Sequence, residues 1–556
     1  MGRRKSLKKS LDIDPQEKGD QKGSKRWLLS TMSSRLFIIA ILLLAGIVWY
    51  GFYSTHTKAI EGSDDRGYAE IARNIAHGKG IVRNFAYPVD INFFNKLPIP
   101  EFFHPPGYPV IIAGFFKLFG ISDFAALLPS YLSYFILMIL VFLFAKRYLE
   151  IQTATLAVLI LIFNKDILDP STVAISEGVY TLFFFLFFFL FIKARSSRDI
   201  FISGIILGMS NLIRENLYPF LIPTLVYLYF YPDLPRWKKM AFFIAGVLIP
   251  VVPNMIRSYL ATGSPQFSYG KFGLMAFTPK YPWLSIYRNI QNPSFLEFLL
   301  NEPGQFFVKY LSNLVASLER VISVSNPYLL AFCAVEMFYW KISPEWKRIK
   351  MLFIFLLLSQ ILFISMITFA VRFFTPFLPL MAILASQGFL RMAGQSLSDL
   401  KPSWKKRIFV LNVLLFLIFF VMPTTYSILR PTQTLNSKTL QFGFLMPQDE
   451  AKRLNEFVSA EVKENQVIWT DVPEVLEWEG DRLCGWLPNR IESIYEIHRK
   501  IPVDALLLTN LRTPYEMGEE WKYLLFSDQS LPLYRNVKFY NGGVLVAKLL
   551  IRDERE

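Results

Sequence analysis

The chain has little charge, almost no cysteine and no N-glycosylation sequon. Charged residues make up 19% of the 556, against 53% hydrophobic and 16% aromatic with 53 Phe, a balance too apolar for a soluble enzyme of this size. The two cysteines sit in unlike surroundings, Cys333 in an apolar run and Cys484 in the polar C-terminal part, which excludes a disulfide framework. Without an Asn-x-Ser/Thr triplet the mark of a glycosylated lumenal domain is missing as well. There is no clear internal repeat of the kind many transporters carry.

What the sequence does have is apolar runs. A hydrocarbon core about 30 Å thick takes roughly 20 apolar residues per helix, and runs of that quality recur between positions 36 and 429. The first, residues 36–53, follows a strongly basic tail and lacks a small-residue cleavage site, so it reads as a retained anchor. The formal charge of +15 falls in clusters between runs, at Arg3 to Arg26, Lys146 and Arg147, Lys193 to Arg198, Arg236 to Lys239, Lys341 to Lys350 and Arg391 to Arg407. That placement is the positive-inside signature and argues against nucleic acid as a partner.

With the N-terminus inside, the clusters predict about eleven spans. They fall near 36–54, 123–145, 151–164, 174–192, 199–213, 217–231, 240–259, 326–340, 350–370, 373–390 and 407–429. A full crossing by residues 108–119 would put every later basic cluster outside, so that stretch reads as an interfacial helix, and so does 306–322. The fold class expected is a polytopic α-helical membrane protein with a small extracytoplasmic α/β domain. Its parts are a disordered basic cytoplasmic tail at 1–34, a membrane domain at 35–430 with outer loops 54–106 and 261–325, and the α/β domain at 431–556. In that last part an amphipathic helix is expected at 450–464, strands at 467–470 and 505–508, and a hairpin through Asn541-Gly542-Gly543. The expected location is the cell (inner) membrane.

Ionisable residues kept at the outer ends of apolar helices are costly and are candidate site residues. Asp64 and Asp65 open an amphipathic helix; one aspartate can be an N-cap, and a second also suits a general base. His104 stands before Pro-Pro at an interfacial helix start, where an N–H donor could hold a phosphate diester. Glu177 begins a nearly all-Phe helix, and Arg214 and Glu215 join two short spans, with mutual pairing the simplest role for all three. Arg372 begins a span from outside, and its fork fits a phosphate as well as it fits a structural carboxylate.

These pieces, in order, resemble the GT-C membrane glycosyltransferases, particularly the protein O-mannosyltransferase and lipid A aminoarabinose transferase group. The resemblance is carried by Asp64-Asp65 with Tyr68 and Ile71-Ala72-Arg73-Asn74, Gly78-Lys-Gly80, His104-Pro-Pro-Gly-Tyr-Pro109, Phe116-Lys-Leu-Phe-Gly120, Ser176-Glu177, Leu212-Ile-Arg214-Glu215 and Arg372-Phe-Phe-Thr-Pro376. It implies an inverting transfer from a polyprenyl-phosphate sugar to an extracytoplasmic acceptor. Asp64 would be the base, with Asp65 the second choice, and His104 and Arg372 would hold the donor phosphate. Metal dependence varies in the group; a divalent ion here would fall to Asp64 and Glu177. No other cofactor is implied, and the partners are the lipid-linked donor, membrane lipids and the acceptor. A flippase for a lipid-linked glycan and a non-catalytic envelope assembly protein are the competing readings.

Overall fold

The computed structural model describes residues 34–56, 60–230, 235–340, 342–397, 402–429, 446–511, 518–541 and 546–553. The basic tail expected to be disordered, Lys341, and Gly542 and Gly543 of the expected hairpin turn lie outside these residues.

Each stretch expected to span contains a helix. Six helices are long and apolar enough to cross a membrane alone: Leu36–Thr55, Asp123–Tyr148, Ser176–Lys193, Arg236–Thr262, Thr375–Gln395 and Trp404–Leu429. Burial ranks them, since 67% of the Ser176–Lys193 window is enclosed but only 17% of that in Trp404–Leu429. A helix that is apolar on every side belongs inside a bundle or in lipid; Ser176–Lys193, with Phe184, Phe185, Phe187 and Phe188 all buried, takes the interior.

Two further helix pairs are each sharply bent, at the ends of the expected spans 151–164 and 326–340; the second pair takes in the stretch 306–322, expected to lie in the interface. Ile151–Ile162 bends by 71° into Lys165–Ser171 because Asn164 caps the second piece, its side chain accepting from the Ile167 N–H. Pro303–Ser325 meets Pro327–Phe338 at 98°. There Asn326 adopts a left-handed φ of 61° and its side chain accepts from the Tyr328 N–H, while Pro327 opens the next helix. The stretch 350–370 is helical only to Ile364; short 3-10 turns follow at Val371–Phe373 and Thr375–Phe377, which places Arg372 in the break.

Helices Ser197–Ile213 and Arg236–Thr262 touch backbone to backbone. A Cβ on Gly204 would overlap the Phe243 carbonyl oxygen, and one on Gly246 would overlap that of Phe201; small residues permit such approach. Gly246→Leu must therefore part the helices, and a loss of about 1–3 kcal/mol is expected from overpacking alone. A lower thermal midpoint and less monodisperse protein in detergent would register it; an unchanged midpoint would contradict the packing.

The C-terminal part contributes most of a six-stranded sheet of order β2-β5-β4-β6-β8-β7. Its strands are β2 Phe85–Ala86, β4 Ile468–Thr470, β5 Cys484–Trp486, β6 Ala505–Thr509, β7 Tyr534–Asn541 and β8 Val546–Arg552. The expected β7 and β8 pair antiparallel. β2 comes from the loop between the first two long helices and pairs in parallel with β5, Phe85 opposite Cys484. The two-stranded sheet of β1 Val82–Arg83 and β3 Ile99–Pro100 flanks it. The first loop is thus built into the C-terminal domain.

Where the two meet, Glu70 and Glu477 are fully buried, and neither Glu477 oxygen has a hydrogen-bond partner among the described residues. Burial pushes both carboxyls up, Glu70 to about 8 with Arg73 opposing the rise, and Glu477 further through the charges of Glu70 and Glu474. An unfolded glutamate titrates near 4.3, so between there and about 8 the folded state keeps a proton that the unfolded chain has lost. Stability from this pair is full at low pH and falls as pH rises through that window. Glu477→Gln should leave the thermal midpoint unchanged near pH 4 and raise it near pH 8, as measured by unfolding in detergent at both.

Candidate active site

The helix Ser63–Ala76 starts after Gly62 with Asp64 and Asp65 in its first turn, where the helix dipole favours carboxylates. Their surroundings differ. Asp64 Oδ2 accepts from Arg372 Nη1 at 2.8 Å, and both side chains keep about a third of their surface exposed, 32% and 29%. Asp65 is buried and accepts from the backbone N–H groups of Glu61 at 3.2 Å and Arg66 at 3.0 Å.

Electrostatics separates the two further. Burial would raise the Asp64 carboxyl, but Arg372, His104 and Arg214 together hold it below its ordinary value. Burial lifts Asp65 to about 7, with Arg66 pulling the other way. By titration alone Asp65 looks the better base; by position only Asp64 pairs with Arg372.

Glu177, second residue of its helix, joins the same centre. Its Oε1 lies 2.6 Å from Arg214 Nη1 and 3.6 Å from Arg372 Nη1. Arg214 caps the C-terminal end of Ser197–Ile213 and lays its guanidinium 4.6 Å from the Phe373 ring. Tyr68, one turn after Asp64, donates to Ser176 Oγ at 3.1 Å and packs against the His104 ring, centroids 4.6 Å apart. Asp64, Tyr68, His104, Glu177, Arg214 and Arg372 therefore form one cluster drawn from five separate segments. Glu215 lies outside it, accepting from Ser268 Oγ at 2.6 Å in the loop expected at 261–325.

Behind His104 stands a layer that the sequence did not announce. Glu101 Oε1 accepts from the backbone N–H groups of Phe103 and, at 2.6 Å, His104. Glu101 Oε2 lies 3.3 Å from Arg83 Nε, whose Nη2 pairs with Asp90 at 2.7 Å. Tyr269 donates to the same Asp90. Arg83, Asp90 and Glu101 are each 1% exposed or less, so the loop carrying His104 is fixed by a buried ion network. Asp166 lines a small cavity with Gly178, Thr181 and Thr375. Arg83, Asp90 and Glu101 do not stand out by spacing; only their burial marks them.

A divalent ion is the other occupant to consider. No group of three or more His, Cys, Asp or Glu side chains gathers among the described residues. Asp64 and Glu177 each face a guanidinium, a donor set that does not fit a cation.

Known proteins share this architecture. Residues 103–256 match the sequence profile of the dolichyl-phosphate-mannose-protein mannosyltransferase family. No curated protein matches the chain by sequence. Among solved structures, ArnT from Cupriavidus metallidurans bound to undecaprenyl phosphate superposes with a TM-score of 0.54 at 12% identity, over 93% of this chain and 98% of that one. The apo form of the same protein gives 0.54 at 13%, with the same coverage. The Archaeoglobus fulgidus oligosaccharyltransferase tethered to an acceptor peptide gives 0.50 at 11%, over 85% of this chain and 69% of that one. The apolar helices, the small sheet and these superpositions agree: the chain is a polytopic helical membrane protein with the fold of the GT-C glycosyltransferases.

Proposed function

We propose that this chain moves a sugar from a polyprenyl-phosphate carrier to an extracytoplasmic lipid, glycan or protein acceptor, inverting the anomeric carbon. The observation that carries the reading is the partly exposed Asp64–Arg372 pair, with Glu177 and Arg214 beside it at helix ends. A carboxylate and a phosphate-sized fork in contact are what a displacement with a phosphate leaving group requires. The likeness to ArnT solved with undecaprenyl phosphate supports a donor of that class.

In the reaction the acceptor hydroxyl attacks the anomeric carbon and gives its proton to Asp64. The bond from that carbon to the phosphate oxygen breaks, and its electron pair leaves with the lipid phosphate, held by Arg372 and His104. Arrival of the donor phosphate draws Arg372 away from Asp64. That raises the carboxyl from its depressed value and makes it a stronger base when the substrate is present. No step runs through a metal.

Orientation follows from the charges. Asp123, at the start of its helix, accepts from Gln448 of the C-terminal domain at 3.0 Å, while Lys146 and Arg147 close the far end. Lys193 likewise closes the helix that Glu177 opens. Basic residues at the end opposite the cluster favour a cytoplasmic N-terminus in the inner membrane and an outward-facing site. Placement of charges at helix ends, away from mid-membrane, favours chemistry over transport.

The test is turnover. Purified protein supplied with radiolabelled undecaprenyl-phosphate hexoses and pentoses, and a membrane extract as acceptor source, should release undecaprenyl phosphate from one of them. Release from none of the donors, with protein that is folded by thermal unfolding, would sink the proposal.

A further inference from the structure

The helix that carries Asp64 is two-faced. At about 100° per residue, Asp64 and Tyr68 lie some 40° apart, while Arg66, Glu70 and Arg73 fall together on the opposite side. The first pair meets Arg372, Ser176 and His104. The second set meets the C-terminal domain. Arg66 Nη2 donates to the Met446 carbonyl at 2.8 Å. Arg73 Nη1 donates to the Trp478 carbonyl at 2.9 Å and Nη2 to that of Glu477 at 2.5 Å. The same Nη2 lies 2.9 Å from Asp481 Oδ1, and the guanidinium sits 5.3 Å from the Trp478 ring centroid. Asp481 also accepts from Asn84 at 2.9 Å and pairs with Lys79 at 3.4 Å. One guanidinium thus joins the last turn of this helix to the end of the helix Pro473–Gly480 in the other domain.

We propose that Arg73 is a positioning residue of the reaction: it clamps the C-terminal domain to the back of the Ser63–Ala76 helix, so that the seating of that domain sets the reach of Asp64 and Tyr68 on the front. The domain is then part of the catalytic scaffold, in addition to any role in acceptor docking. The geometry needs a fork, because two carbonyls and a carboxylate are met at once. A lysine supplies the charge but not the spread. The inference rests on the reading of this cluster as the transfer site.

The experiment uses the full-length protein with Arg73→Ala, Arg73→Lys and Asp64→Asn. Two readouts are taken: kcat and donor KM with the undecaprenyl-phosphate sugar that the wild type turns over, and amide hydrogen exchange in detergent. A misplacement of about 1 Å costs on the order of 100-fold in rate, so Arg73→Ala should lower kcat roughly 10- to 100-fold with donor KM within about twofold. Arg73→Lys should recover part of the loss. Exchange should quicken across residues 63–76 while the strands β4, β5 and β6 stay protected. An unchanged kcat, unchanged exchange over residues 63–76, or faster exchange throughout the sheet would each overturn the clamp. Exchange is read without turnover, so an active Asp64→Asn protein whose helix still loosens in Arg73→Ala would remove Asp64 as base and leave the clamp standing.

Discussion

Asp64→Asn should lower kcat by about 10²- to 10⁴-fold, the usual contribution of a positioned general base, with donor KM unchanged or lower. The asparagine keeps the shape and can still accept from Arg372, but it cannot take a proton from the acceptor hydroxyl. The effect on KM has a definite sign. In the wild type Arg372 is held by the Asp64 carboxylate at 2.8 Å, and the donor phosphate must compete for it; neutralising Asp64 removes the competitor. Steady-state kinetics with the labelled donor, beside a thermal midpoint to show that the variant is folded, decides the matter. An Asp64→Asn enzyme with wild-type kcat removes Asp64 as base. Asp65→Asn, by contrast, should act mainly on stability, because its carboxylate is enclosed and spent on the Glu61 and Arg66 backbone.

Much of this cluster could be read from the chain because it stands against an apolar background. Asp64, Glu177, Arg214 and Arg372 are charges at the ends of runs where charge is expensive, so each was conspicuous alone. Their meeting follows once the runs are bundled. The bends could not be read the same way. Asn164 and Asn326 act through capping and a left-handed backbone, local chemistry that hydropathy averages over. The strand β2 is two residues long, too short for any period, and its partner β5 is about 400 positions away. Arg83, Asp90 and Glu101 look like ordinary loop charges in sequence; only their complete burial shows them to be the frame behind His104. Glu336 is a charge in an apolar helix with a structural use: the Trp346 indole, Lys350 and Arg391 all close on it, a pin between three helices.

Arg372→Ala should lower kcat by roughly 10²- to 10³-fold, by analogy with loss of one donor to a developing anion. Two consequences separate it from a mere loss of structure. The first is that substrate binding weakens as well, because the fork meets the phosphate in the ground state as well as in the transition state; KM for the donor should rise while kcat falls. The second is in the pH profile. Burial favours the protonated form of Asp64, and Arg372 is the largest of the charges that oppose it. Without the guanidinium the carboxyl pKa rises, so the acid limb of kcat/KM moves to higher pH. Arg372→Lys keeps a charge near Asp64 and should restore most of the limb's position, but it lacks the two-pronged grip and should recover little of the rate. A profile that stays in place in Arg372→Ala would mean that Asp64 is not the group titrating on that limb, and the pairing would then belong to the scaffold alone.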